Sequence, residues 1–212
     1  MFETIEARAE GVVRLASAYE SFEEAMPNAR WVVNGEERTW SDVFVVGRVE
    51  SVEAGRSFAW VEDDETDSIE KIELPFGDEK AEASTIHVTV AADQIVAADN
   101  VTVGQQVTFG IAVGPGTDVG DVRAEFEEYG TVAALLVNSA VFDYEDGLFG
   151  ILEGGAFLGT VTDDGINFPL LAEDRRAARP FLTGALTFDS LVGRAPVDTI
   201  VVNETEDGWE RQ

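Results

Sequence analysis

Apolar residues change their spacing along the chain. Over residues 4–26, Ile5, Val12, Leu15 or Ala16, Tyr19, Phe22 and Met26 recur at steps of three and four, the period of one face of an α-helix. Charged residues fill the positions between them, and Pro27–Asn28 supplies a stop. The pattern predicts an amphipathic helix docked on a sheet. A partner-binding helix is the alternative.

From Trp40 the period falls to two. "WSDVFVVGRVESVEAGRSFAW", residues 40–60, reads as a strand, a tight turn at "EAGR" and a returning strand. Val43, Val45 and Val49 share a face, and Gly47 marks a bulge or strong bend. "EDDETDSIEKIELPFGDEKAEAS" follows, too charged for a core element, and reads as a long hairpin extension or a surface loop. "STIHVTVAADQIV" is a strong strand with Ile86, Val88 and Val90 on one face. "TVGQQV" then turns the chain into another strand over Val107 to Val113.

"GPGTDVGD", residues 114–121, breaks the pattern, and "VRAEFEEYG" fits a short helix or a loop. The second half is again β-rich, with "GTVAALLVN", "AVFDY", "LFGIL", "AFLGTV" and "INFPLL". Its separators "DYEDGLF" and "TDDGINF" hold Asp-Gly pairs, favoured in hairpin turns. A short helix is expected around Phe188 to Arg194, and "NETEDGWERQ" is expected as a solvated tail.

These elements predict a mainly β protein with minor α content: a small OB-like Greek-key barrel, an N-terminal amphipathic helix and additional C-terminal β-hairpins. A sandwich also fits the strand spacing. The expected divisions are a helix packed on the barrel over 1–30, the barrel core over 31–113, a connecting segment over 114–130, a C-terminal β-rich part of the same domain over 131–200, and a tail over 201–212.

Charge changes the picture more than hydropathy does. Forty-two acidic residues face fourteen basic ones among 212, for a formal net charge of −28. Small soluble domains usually stay within a magnitude of about 2 to 8. Lys71 and Lys80 are the only lysines, beside twelve arginines. Two readings account for this: adaptation to high salt, as in the cytoplasm of a halophile, or an acidic exported protein from an organism with GC-rich codons. Both weigh against nucleic acid as a partner, because phosphates are repelled where no basic stripe receives them. Anionic membrane surfaces are disfavoured for the same reason.

No run of about 18 apolar residues is present, so no membrane span is expected. The opening "MFETIEARAEGVVRLAS" lacks a basic start and a continuous apolar stretch, and so does not read as a signal peptide. The chain has no cysteine, which removes disulfides, thiolate metal ligands and thiol nucleophiles.

Several stretches together resemble a type of small exported actinobacterial β-barrel protein: "SAYESFEEAMPNARWVVNG", "SDVFVVGRVESVEAGRSF", "STIHVTVAADQIV" and the closing "FPLL" with "FLTGALTFDSLVGRA". The strand order also resembles the netrin-like modules of tissue inhibitors of metalloproteinases, which are OB-type barrels. The resemblance covers residues 17–113 and the closing stretch. It implies an OB-like fold and an extracellular or cell-surface location, and it brings no activity with it. In those inhibitors an N-terminal cysteine binds the target's zinc. This chain has no cysteine, so no inhibitory residue carries over.

The search for chemistry returns little, and no catalytic residue is assigned. His87, the sole histidine, alternates away from Ile86, Val88 and Val90 and reads as a surface residue. "GRSFA" misses the nucleophile-elbow pattern, since Ala59 stands in place of its second glycine. "GPGTDVGD" lacks the lysine of a phosphate loop.

Asp63, Glu65 and Asp67 alternate like the opening ligands of a calcium loop. The sixth position is Ser68 in place of glycine and the twelfth Leu74 in place of glutamate, so the full loop fails. A solvated charge run is the plain reading and a Ca2+ site the alternative; no other cofactor is expected.

Trp31, Trp40 and Trp60 group around the expected first hairpin. They are core and rim residues, or else an aromatic platform for a protein or carbohydrate partner. The reading that follows is a non-enzymatic binding module of an exported or cell-surface protein, with the Trp40-to-Trp60 face as its surface. The alternatives are a structural subunit of a larger assembly, such as a phage or surface-layer component, and a carboxylate-dependent hydrolase. Oligomeric state is left open.

Overall fold

Strand pairing closes a ring. In a computed structural model of the chain, residues 22–63, 68–138, 148–155, 157–169, 187–188, 199–205 and 208–211 are described. Five strands form the barrel: β3 (Val43–Asp63), β5 (Ala83–Ala97), β6 (Gln106–Val113), β7 (Thr131–Asn138) and β8 (Phe149–Ile151). β3 pairs with β5, β5 with β6, β6 with β8, β8 with β7, and β7 returns to β3. The β6–β8 contact alone in this ring is parallel, through Phe109↔Phe149 and Gly110↔Gly150. Counted within the ring, the order is 1-2-3-5-4-1, the closed Greek key of an OB-like barrel.

The expected barrel is therefore present, with different limits. Its core runs to Ile151, because β7 and β8 are the strands that close it. Residues 114–130 connect β6 to β7 and pack on the barrel. They form α2 (Val119–Tyr129), which sends Val122 and Phe126 into the barrel's interior cluster. Asp118 caps α2 by accepting from the Gly120 N–H at 2.6 Å. Gly130 ends it at φ 66°, its N–H bonded to the Phe126 carbonyl at 3.0 Å. The glycines and aspartates of "GPGTDVGD" thus supply turn and cap chemistry.

The supposed turn at "EAGR" is absent. β3 runs unbroken for 21 residues, and its pairing with β5 shifts register at three places, including Ala54/Ser57. Gly55 serves close approach here: a Cβ there would stand 2.4 Å from Thr85 Oγ1 and 2.6 Å from His87 Nε2. Gly47 marks the expected bulge, with a register shift between Val46 and Gly47. A Cβ on it would meet the Ala91 carbonyl oxygen at 2.2 Å. These shifts let one long strand coil around the barrel and then leave it.

The far half of β3 pairs with β4 (Ser68–Leu74), from Ser57↔Leu74 to Asp63↔Ser68. This two-stranded arm is the expected hairpin extension. On the other side, β9 (Leu158–Thr162) pairs with β7, and β10 (Gly165–Asn167) with β9. The β9–β10 turn is Asp163–Asp164, with Gly165 opposite Thr162, so "TDDG" forms a hairpin. A single 3-10 turn, Leu152–Gly155, follows β8.

A second sheet joins β1 (Trp31–Val33), β2 (Glu36–Arg38), β11 (Ile200–Thr205) and β12 (Gly208–Arg211) in the order β12-β11-β1-β2. Within the solvated tail expected over 201–212, residues 201–205 and 208–211 are strand instead. β11 lies parallel to β1 through Trp31↔Ile200 to Val33↔Val202. The alternation of Ile200 and Val202, both buried, is what holds it there.

Two apolar clusters result. One fills the barrel with Val43, Val45, Ile86, Val88, Val90 and Leu136, among others. The other lies outside the barrel, where Phe44, Val46, Leu135 and Val137 meet α1 (Phe22–Ala25), Trp31, Ile200 and Val202. "VFVV" and "AALLV" are continuous apolar runs because both of their faces are covered.

α1 is the described part of the expected N-terminal helix and ends before Pro27 as predicted. Residues 1–21, the Asp-Gly pair of "DYEDGLF" at 146–147 and nearly all of the closing "FLTGALTFDSLVGRA" lie outside the described residues. No described helix is long and apolar enough to cross a membrane.

Candidate interaction surface

The three tryptophans do not form one surface. Trp31 is 1% exposed in the outer cluster. Its Nε1 donates to the Glu24 carbonyl at 2.8 Å, while Ser41 Oγ donates to the Ala25 carbonyl. Two side chains thereby satisfy carbonyls that the end of a helix leaves open. Trp40 is half-buried and packs edge-on against Trp31, with ring centroids 5.9 Å apart. Trp60 stands far along β3, in the arm, half-buried and opposite Lys71. With no turn between them, Trp40 and Trp60 are separated by nearly the whole of one strand.

The arm carries what sequence reading missed. Directly paired residues on neighbouring strands share a face. Ala59, Val61, Glu70 and Ile72 therefore lie on one face, and Phe58, Trp60, Ile69, Lys71 and Glu73 on the other. Val61 is 48% exposed and Ile69 67%, and these are the exposed large apolar side chains among the described residues. Lys71 Nζ sits 5.2 Å from the centre of the Phe58 ring, and Arg56 Nη1 lies 2.7 Å from Glu73 Oε1. Both contacts fit the second face. The signal was available: "SIEKIEL" alternates like a strand, but the surrounding charge made it read as a solvated excursion.

The suggested cation ligands fall at the arm's tip. Asp63 ends β3, and Glu65 and Asp67 lie outside the described residues. Among the described residues, no three His, Asp or Glu side chains gather into a metal-binding group. His87 is half-buried on β5, opposite Glu53 and Gly110 and beneath Gly55.

A groove of about 370 Å³ lies between α2 and β3, over Val52 and Phe126. Arg123 spans one side, donating from Nε and Nη2 to the Val52 carbonyl at 3.2 and 2.8 Å. Arg48 faces it beside Glu50, Glu53 and Glu127. Both walls carry charge, with Arg48, Glu50 and Glu53 on β3 and Arg123 and Glu127 on α2. The outer surface of β5 and β6 is polar: Thr89 and Thr108 share a hydroxyl hydrogen bond at 2.9 Å, and Gln106 Nε2 donates to Glu50 at 2.6 Å.

Comparisons with family models, with curated proteins and with solved structures return no match.

Proposed function

We propose that this chain is a non-enzymatic binding module of an exported or cell-surface protein, in which the barrel is a rigid support and the β3–β4 arm the contact surface. One observation carries the reading. The large apolar side chains left in water among the described residues, Val61 and Ile69, occur together on one two-stranded element, one on each of its faces, with Trp60 on the face of Ile69. Apolar groups concentrated in this way gain free energy when a partner covers them. The partner is a protein in this reading, because Glu70, Lys71 and Glu73 interleave with the apolar residues as in a polar rim.

The test replaces Val61 and Ile69 together by aspartate. Both positions are exposed, so the melting temperature is expected to hold, while capture of a partner from cell-envelope extracts is lost. Undiminished capture by a folded double variant overturns the reading, as does robust turnover in broad substrate profiling.

A structural subunit of a larger assembly is the second reading. It is favoured by β4 ending the eight-stranded sheet with β3 as its one described neighbour. Sedimentation over a wide concentration range separates the two. Mass that grows with concentration favours assembly, and a strict monomer favours the binding module.

A further inference from the structure

We infer that the arm receives its partner by strand addition: an extended, basic segment of another protein pairs its backbone with the outer edge of β4. The inference rests on the reading of the arm as the contact surface, and it names the mode and the chemistry of the partner.

Four strands end the described sheets, and three are short. β2 and β10 have three residues each and β12 four, whereas β4 has seven. Short edges offer too few backbone groups to template a new strand, while a seven-residue edge presents a full row of them. Among the described residues, β4 has no strand on its outer edge. Ile69, Glu70, Lys71 and Glu73 are exposed and Ile72 and Leu74 half-buried, so over these residues neither face of β4 is packed away.

Side chains along this edge set the pattern of the incoming strand. Glu73 already has Arg56 at 2.7 Å, and Lys71 already lies over Phe58. Glu70 has no hydrogen bond or ion pair with another described residue. A lysine or arginine opposite Glu70 therefore gains the most. Ile69 and Ile72, on opposite faces, call for an apolar residue opposite each. Read in the antiparallel direction, the added strand carries apolar, small polar, cationic and apolar residues in that order. The net charge of −28 selects the same sign over distance, drawing a basic segment in and keeping a second copy of this chain away.

The experiment uses the whole chain, isotopically labelled, and the synthetic peptide acetyl-Lys-Val-Thr-Lys-Val-Thr-amide. Amide NMR shifts are followed during titration at moderate salt. The expected result is saturable shifts centred on the backbone of β4, with slowed amide exchange there. Glu70→Lys is expected to weaken binding about fivefold or more, while Glu127→Lys on α2 leaves it unchanged. A peptide of equal charge with both valines replaced by proline cannot pair as a strand. If it shifts the same amides as strongly, or if shifts spread over the whole acidic surface, the attraction is ionic only and strand addition is overturned. If the peptide leaves β4 untouched while the aspartate variants at Val61 and Ile69 lose partner capture, strand addition fails and the arm remains the contact surface. If those variants also keep capture, both readings fall.

Discussion

Arg211 grips both carboxylate oxygens of Glu24, from Nη1 to Oε2 at 3.2 Å and from Nη2 to Oε1 at 2.6 Å. The two residues stand 187 positions apart. The glutamate side chain is 5% exposed and the arginine 34%. The fork geometry joins α1 to β12 and gives a buried charge its counter-charge.

Removing the arginine takes a counter-charge from a buried carboxylate. Arg211→Ala is expected to cost about 2–3 kcal/mol, below the figure for a fully buried pair because the guanidinium is partly solvated. Arg38→Ala, which breaks an exposed pair with Glu36 at 3.4 Å, is expected to cost less than about 0.5 kcal/mol. Urea denaturation of both variants checks the contrast, and equal midpoints would contradict it.

The tryptophans should separate in the same way. Trp31→Ala removes a fully buried indole and its hydrogen bond to Glu24, and about 3–5 kcal/mol of stability is expected to go with it. Trp60→Ala, on the arm, is expected to leave the barrel folded with a loss of about 1 kcal/mol or less. Near-ultraviolet circular dichroism with thermal melts reads both outcomes.

Gly47→Ala tests the bend in β3. The new methyl carbon meets the Ala91 carbonyl oxygen at 2.2 Å, an approach that backbone cannot relieve without opening the β3–β5 ladder. A loss of about 2–4 kcal/mol is expected. Gly114→Ala, where no atom lies within 4 Å of the added carbon, serves as the control in the same denaturation series.

Burial holds the Tyr129 phenol above its ordinary value of 10.0, and Glu125 and Glu128 push it the same way. The folded chain therefore binds this proton more tightly than the unfolded chain. The resulting stability is complete below the unfolded value near 10 and is lost as pH climbs through the folded one. Stability of the parent chain should fall on crossing that range, and Tyr129→Phe should flatten that part of the decline. Denaturation at several pH values on either side of 10, run on both chains, is the check.

Repulsion among the acidic side chains predicts a salt response. The melting temperature is expected to rise with added sodium chloride, most steeply below physiological ionic strength, where screening changes fastest. A constant melting temperature from low to molar salt would remove charge repulsion from the account.

The barrel was legible in the sequence where one face of a strand is buried and alternation survives, as at Ile86, Val88 and Val90. It was least legible where both faces are covered. In "VFVV", Phe44 and Val46 face the outer cluster while Val43 and Val45 face the inner one, so no period marks which side is which. Gly55 looked like a turn because glycine serves turns and close approaches alike, and only the position of Thr85 and His87 decides between them. β11 and β12 were hidden for another reason. A short run such as "TIVVNET" is a strand only because β1, some 170 residues earlier, is there to pair with it. The candidate surface was half legible: Trp60 was named, while Ile69 and Val61 were masked by their charged neighbours.

β3 meets β7 through Val45↔Ala134 and its flanking pairs. The ring cannot shut until the ribosome has delivered residues well past the hundredth, so the early strands must wait with their apolar faces open. Folding should accordingly be slow for a chain of this size, governed by a late, long-range closure. Fragments that stop before Thr131 should remain without a protected core.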